Sequence, residues 1–190
     1  FDQHVGKVCG NAFYHIRALR HIRRSISLDC ARDIACAIVG SRLDYCNALL
    51  YNATARNLHS LQCVQNTAAR VVTGAHYHDH IRPHLMNLHW LPVEHRIKFK
   101  LATITFKAFR SKTPAYLAEL LVLKPSPRLL GSSTERLLDV PLTRTVTSDR
   151  AFSIVAPRIW NSLDNDIRNS QNLITFKSRL KTRLFLAAYS

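Results

Sequence analysis

The sequence predicts a mainly α-helical protein: a bundle of about five to six helices with a small irregular, β-containing C-terminal part. Three observations predict it. Apolar residues recur at steps of three and four along most of the chain. Glycine is scarce, at 5 of 190 residues. A 47% hydrophobic content over that length supplies a real core.

The first predicted helix spans 4–24. Val5, Cys9, Ala12, Ile16, Leu19 and Ile26 mark its buried stripe. Arg17, Arg20, His21 and Arg24 fall on a neighbouring stripe. One apolar and one basic face suit an element that grips a nucleic-acid backbone; a solvated face gives the same pattern. The second helix is expected over 27–50, capped by Ser27 or Asp29, with Gly40 inside marking close packing or a kink. The third covers 54–73, with Thr54 as N-cap and Gly74 as a left-handed C-cap. Its Gln62, Gln65, Asn66 and Arg70 form a polar stripe for a partner or for water.

The segment "AHYHDHIRPH" (75–84) brings His76, His78, Asp79, His80 and His84 together. It invites a metal, but no cysteine supports it and no HExxH is present. It reads as a polar surface loop. Next, "LHWLPVEHRIKFK" (88–100) reads as a packed corner, Trp90 and Leu91, feeding an amphipathic helix of about 18 residues. Ile97, Leu101, Ile104 and Ala108 step along its apolar face. Arg96, Lys98, Lys100 and Lys107 are its cations, and His89 is read as a hydrogen-bonded core histidine. Residues 114–123 give a short apolar helix. Residues 124–149 form a Pro-, Gly- and Ser-rich linker with an edge strand at most. "SIVAPRIWNSL" (153–163) reads as an apolar turn. A last basic amphipathic helix covers 171–188, with Leu173, Phe176, Leu180 and Leu184 inward and Lys177, Arg179, Lys181 and Arg183 outward. Three regions result: a helical region over 1–123, a loop or linker with an edge strand at most over 124–149, and a C-terminal helical segment over 150–190.

Lys and Arg number 27 against 12 acids, a formal charge of +15. Such an excess favours polyanionic partners, nucleic acid first. Five cysteines with no CxxC read as small core groups in a reducing compartment. No signal peptide and no apolar run of membrane-spanning length is seen, so the expected setting is intracellular, nuclear or cytoplasmic, without a membrane partner. The first residue, Phe1, suggests a piece of a longer polypeptide. No phosphate-binding loop, dinucleotide fingerprint or nucleophile elbow occurs, and no acids are adjacent. The close pairs Asp29/Asp33 and Asp164/Asp166 suit a helix start and a turn. No cofactor or metal is expected in this chain.

The blocks "SRLDYCNALLYN" (41–52), "LQCVQNTAARVVTG" (61–74), "LHWLPVEHRIKFK" and "TPAYLAELL" (113–121) resemble segments downstream of the palm in non-LTR, LINE-type, jockey-like retrotransposon reverse transcriptases. "RAFSIVAPRIWNSLDNDIR" (150–168) and "FKSRLKTRLF" (176–185) resemble the blocks that close those reading frames, and "FDQHV" (1–5) the end of the segment after the polymerase core. The resemblance runs in order over nearly the whole chain. It implies a thumb-like, non-catalytic region that helps hold template and primer beside an upstream polymerase palm. The family's [FY]-x-D-D palm motif, its endonuclease and the Cys–His knuckle of some relatives have no counterpart here, so no catalytic or zinc residue carries over. Backbone contacts are expected from Arg17, Arg20, Arg24, Lys98, Lys100, Lys177 and Lys181. The rival readings are a helical protein-interaction scaffold and a non-functional retroelement relic.

Overall fold

Apolar residues at helical spacing bury one side of each long rod, and the rods assemble by that side. The structure, a computed structural model, describes residues 1–124, 137–145 and 148–190. The protein is mainly α-helical. Two compact units are present, residues 1–97 with 185–190, and residues 98–184. This grouping differs from the three stretches expected from the sequence. Most of the expected linker lies outside the described residues.

In the first unit, α1 (Asp2–Ile22) buries Val5, Ala12, Ile16 and Leu19, then tightens into a 3-10 turn at Arg23–Ser25. Helix α2 (Leu28–Ile34) starts at Ser27, whose side chain accepts from the Cys30 N–H at 3.2 Å. The expected single helix over 27–50 does not form. Instead, α2 passes into a π-helical segment at Ala35–Gly40, then α3 (Ser41–Asp44), then a 3-10 turn at Asn47–Leu50. Cys46 breaks the run with a left-handed backbone, φ 53°. Local side chains compete for the helical carbonyls: Ser41 Oγ donates to Ala37 O at 2.5 Å and Arg42 to Ile38 O at 2.6 Å.

Helix α4 (Ala55–Thr73) follows the prediction at both ends. Thr54 accepts from the Asn57 N–H at 3.3 Å, and Gly74 closes the helix at φ 73°. Asn57 Nδ2 donates to Asp2 Oδ1 at 2.8 Å and Arg23 Nε to Val72 O at 2.8 Å. These two rungs join the start of α1 to the start of α4 and the end to the end, so the helices run side by side in one direction.

The histidine segment is only partly a loop. Residues 81–87 form α5 (Ile81–Asn87), because Ile81 and Leu85 lie one turn apart and Leu85 is buried. The corner after it turns at His89, which is exposed with φ 53°. His89 is therefore not a core histidine. It supplies the left-handed residue that lets Trp90 N–H return to Leu85 O at 3.0 Å. Trp90 and Leu91 are buried, as expected of a packed corner. Helix α6 (Val93–Ser111) begins just after Pro92. Its first N–H, on Val93, donates to Gln62 Oε1 at 2.9 Å, a cap lent by α4. Gln65 is also internal, 2% exposed, with Nε2 donating to Leu91 O at 2.8 Å. Much of the predicted polar stripe of α4 thus serves the fold. The chain's last turn returns to this corner: Tyr189 Oη donates to Trp90 O at 2.5 Å and Arg82 to Ser190 O at 2.9 Å.

The second unit takes α6 from Lys98 onward and α7 (Ala115–Ala118), shorter than the apolar helix predicted over 114–123. A single antiparallel bridge, Leu123 with Leu138, is the β structure among the described residues. Asn161 takes the backbone of Leu138 on the edge that the bridge leaves free. Its Oδ1 accepts from Leu138 N–H at 2.9 Å and its Nδ2 donates to Leu138 O at 2.8 Å, so a side chain takes the place of a neighbouring strand. Residues 152–161, expected to turn, form α8 (Phe152–Asn161), which buries Ile154, Val155, Ile159 and Trp160. Then follow α9 (Asn165–Arg168) and α10 (Leu173–Tyr189). Phe106, Trp160 and Phe176 form an aromatic core, with Phe106 stacked on Phe176 at 4.3 Å and Phe109 beside Trp160 at 5.5 Å. From Phe152 onward the chain is thus mainly helical.

Candidate nucleic-acid interface

Many arginines are consumed by the fold. Arg23 donates to Val72 O and Ile26 O, Arg42 to Ile38 O, and Arg70 to His76 O and Asp79 O. In the second unit Arg110 donates to Ser170 O and Arg179 to Asp166 O, while Arg183 pairs with Asp164 at 2.9 Å. Arg168, 5% exposed, donates to the carbonyls of Asn161 and Leu163. Arg96, one of the cations of α6, is spent in the same way. Its guanidinium makes a two-pronged ion pair with Asp44, which holds α6 on α3. It is not free for phosphate.

The cations expected to touch nucleic acid fall in two groups. Arg17, Arg20 and Arg24 are exposed on α1 and its 3-10 extension, in the first unit. Among the described residues no carboxylate or carbonyl takes any of the three. Steps of three and four residues put them on one side, one turn apart. The buried stripe of Val5, Ala12, Ile16 and Leu19 lies on the neighbouring side, packed on α4. The only acid on α1 is Asp2, and Asn57 binds it. The structure therefore brings these three arginines together as a ridge of uncompensated positive charge.

The second group is less convergent. Lys98 is half-buried and Lys100 exposed on α6. Two residues apart on a helix means about 200° apart, so they cannot meet one phosphate run. Lys177 and Lys181 are exposed one turn apart on α10. They flank the buried Phe176 and Leu180, which anchor that helix.

Residue counting alone missed part of the α1 ridge. Lys7, Gly10, Tyr14, Arg17, His21 and Arg24 are all exposed, at alternating steps of three and four. The signal was available: it is the mirror of the apolar stripe, read on the opposite arc of the same helix.

Several other charged groups have structural partners. Arg32 pairs with both Asp29 and Asp33. Thr143 donates to Asp149 at 2.5 Å and Arg158 pairs with it; the hydroxyl bond, then the arginine, hold its carboxyl below the usual range. In the histidine segment Asp79 accepts from the His76 N–H at 2.7 Å, tying the turn. No group of three His, Cys, Asp or Glu able to hold a metal ion occurs among the described residues. The cysteines were expected in the core, but none is fully buried: Cys30, Cys36 and Cys46 are exposed, Cys9 and Cys63 half-buried. They lie beside the apolar stripes rather than within them. A small open cleft in the first unit is walled by Ala35, Val39, Leu43 and Trp90. Its polar members, Gln65 and Arg96, are spent on Leu91 O and Asp44. No helix among the described residues is long and apolar enough to cross a membrane. Comparison with protein-family models, curated proteins and solved structures gives no match.

Proposed function

We propose that this chain is a nucleic-acid-holding, non-catalytic segment of the kind its sequence blocks resemble: the thumb and post-palm region of a non-LTR retrotransposon reverse transcriptase. Bond-making chemistry belongs, in this reading, to a polymerase palm upstream, and the chain needs no cofactor. It works inside the cell, in nucleus or cytoplasm, where template and primer are found.

The observation that carries the reading is the α1 ridge. Arg17, Arg20 and Arg24 are exposed on one helical side with no internal acid to compensate them. Guanidinium groups so placed give bidentate phosphate contacts. Lys100, Lys177 and Lys181 add exposed charge in the second unit, with the half-buried Lys98 the weakest contributor. Such contacts neutralise phosphates and carry little sequence information.

Binding should therefore weaken steeply with salt, with a log–log slope of about −0.9 per phosphate neutralised on duplex DNA. Replacing Arg17, Arg20 and Arg24 together by Gln should flatten that slope by about 2 to 3 while leaving the helical signal in circular dichroism intact. A slope unchanged by the triple replacement would remove α1 from the interface. Affinity that is flat between low and moderate salt would remove the reading altogether.

A further inference from the structure

We propose that the exposed arc of α1 takes unpaired nucleic acid, with the Tyr14 ring stacked on a base and Lys7, Arg17, His21 and Arg24 along the phosphates. This rests on the nucleic-acid reading above and specifies its ligand.

A lone exposed tyrosine needs no explanation. Tyr14 differs by its position. It is 64% exposed and stands midway along a cationic ridge that contains no acid. Lys7 lies two turns before it, and Arg17, His21 and Arg24 follow at helical steps. From Lys7 to Arg24 the ridge is about 25 Å long, at about 1.5 Å per residue. One turn before Tyr14 stands Gly10, with no side chain. A Cβ built there would meet nothing within 4 Å, so the flank of the ring toward the helix start is open. The other contact of the ring is edge-on, to His15 at 5.2 Å and 84°, which leaves a face available.

The chemistry of the strand follows from that face. A base in a duplex has both its faces covered by neighbours. An aromatic side chain reaches it only by unstacking the helix. An unpaired base offers its face freely, and stacking on tyrosine tolerates any base. Cations on either side hold the phosphates in both cases. The arginines therefore serve single and double strands alike, while Tyr14 counts only for the single strand.

The test uses the full chain and three fluorescent probes: a short oligothymidylate, an oligouridylate of equal length, and a GC-rich duplex. Anisotropy titrations at one fixed low salt concentration compare the wild type with Tyr14→Ala and Tyr14→Phe. The expected result is about a tenfold loss for Tyr14→Ala on the unpaired probes, with duplex affinity unchanged, and near-complete retention by Tyr14→Phe. A loss on only one unpaired probe would assign the strand as DNA or RNA. Should Tyr14→Ala leave single-strand binding intact, or weaken all three probes equally, stacking is overturned while the basic ridge survives. If the wild type binds none of the probes, both proposals fall.

Discussion

Arg23 and Arg24 are neighbours in sequence and opposites in use. Arg23 is half-buried, with Nε and Nη1 donating to Val72 O and Ile26 O. Arg24 is exposed, with no partner among the described residues. Arg23→Ala should cost about 1–2 kcal/mol in urea unfolding, the range for charge-assisted bonds with part of the site open to water. Arg24→Ala should change stability by less than about 0.5 kcal/mol, yet weaken nucleic-acid binding. Equal stability losses would contradict the division. Tyr189 makes a second residue-scale prediction. Burial pushes its phenol up to about 12 against an ordinary 10.0, while Arg82 opposes the rise. The folded state thus favours the neutral hydroxyl, which donates to Trp90 O. Its contribution is fully present below pH 10.0 and is lost as pH rises toward about 12. Tyr189→Phe should remove that part of the alkaline loss, seen as a smaller stability drop between those pH values than in the wild type. Had Tyr189→Phe the same alkaline profile, the phenol would not be the titrating group.

At the scale of the element, the stretch 28–44 shows how a local signal is kept and a helix is reshaped. Apolar spacing made it helical, and it is, but as α2, a π-helical segment and α3. Gly40 read as close packing or a kink. Its backbone is ordinary right-handed helix, φ −58°, and an added Cβ would meet only Ala35 O and Arg96 at 3.7 Å. Gly40 ends the π-helical segment, and it is not tightly packed. Gly40→Ala should therefore stabilise by about 0.4–1 kcal/mol through the unfolded chain, measured by chemical denaturation. Destabilisation would mean the π-helical segment itself depends on glycine. Two other elements show why sequence reading slipped. The 152–161 helix carries Pro157 and a dense apolar run, which looks like a turn when its partners are unknown. The strand-like residues around Leu138 pair with Leu123 through a single bridge, and Asn161 binds the other edge of Leu138.

Across the whole molecule, 27 basic against 12 acidic residues set one expectation that no single contact carries. Self-repulsion opposes the compact state, and added salt screens it. The thermal midpoint of the nucleic-acid-free chain should rise by a few degrees as sodium chloride is raised from low to moderate concentration. A falling midpoint would show that the ion pairs, such as Arg96 with Asp44, outweigh the repulsion. What the sequence determined on its own is the helical class, both ends of α4, the buried stripes of α1 and α6, and the basic side of α1. Each depends on periodicity or a cap within a few residues, and such signals are local. Only the tertiary structure decided which cations remain at the surface. The groups that accept from them, the Asp44 carboxylate for Arg96 and the backbone carbonyls of Ser170 for Arg110 and Val72 for Arg23, come from positions 49 to 60 residues away. Hydrogen bonds over that separation leave no trace in a local pattern, so identical arginines are tied into the fold or left exposed by packing alone.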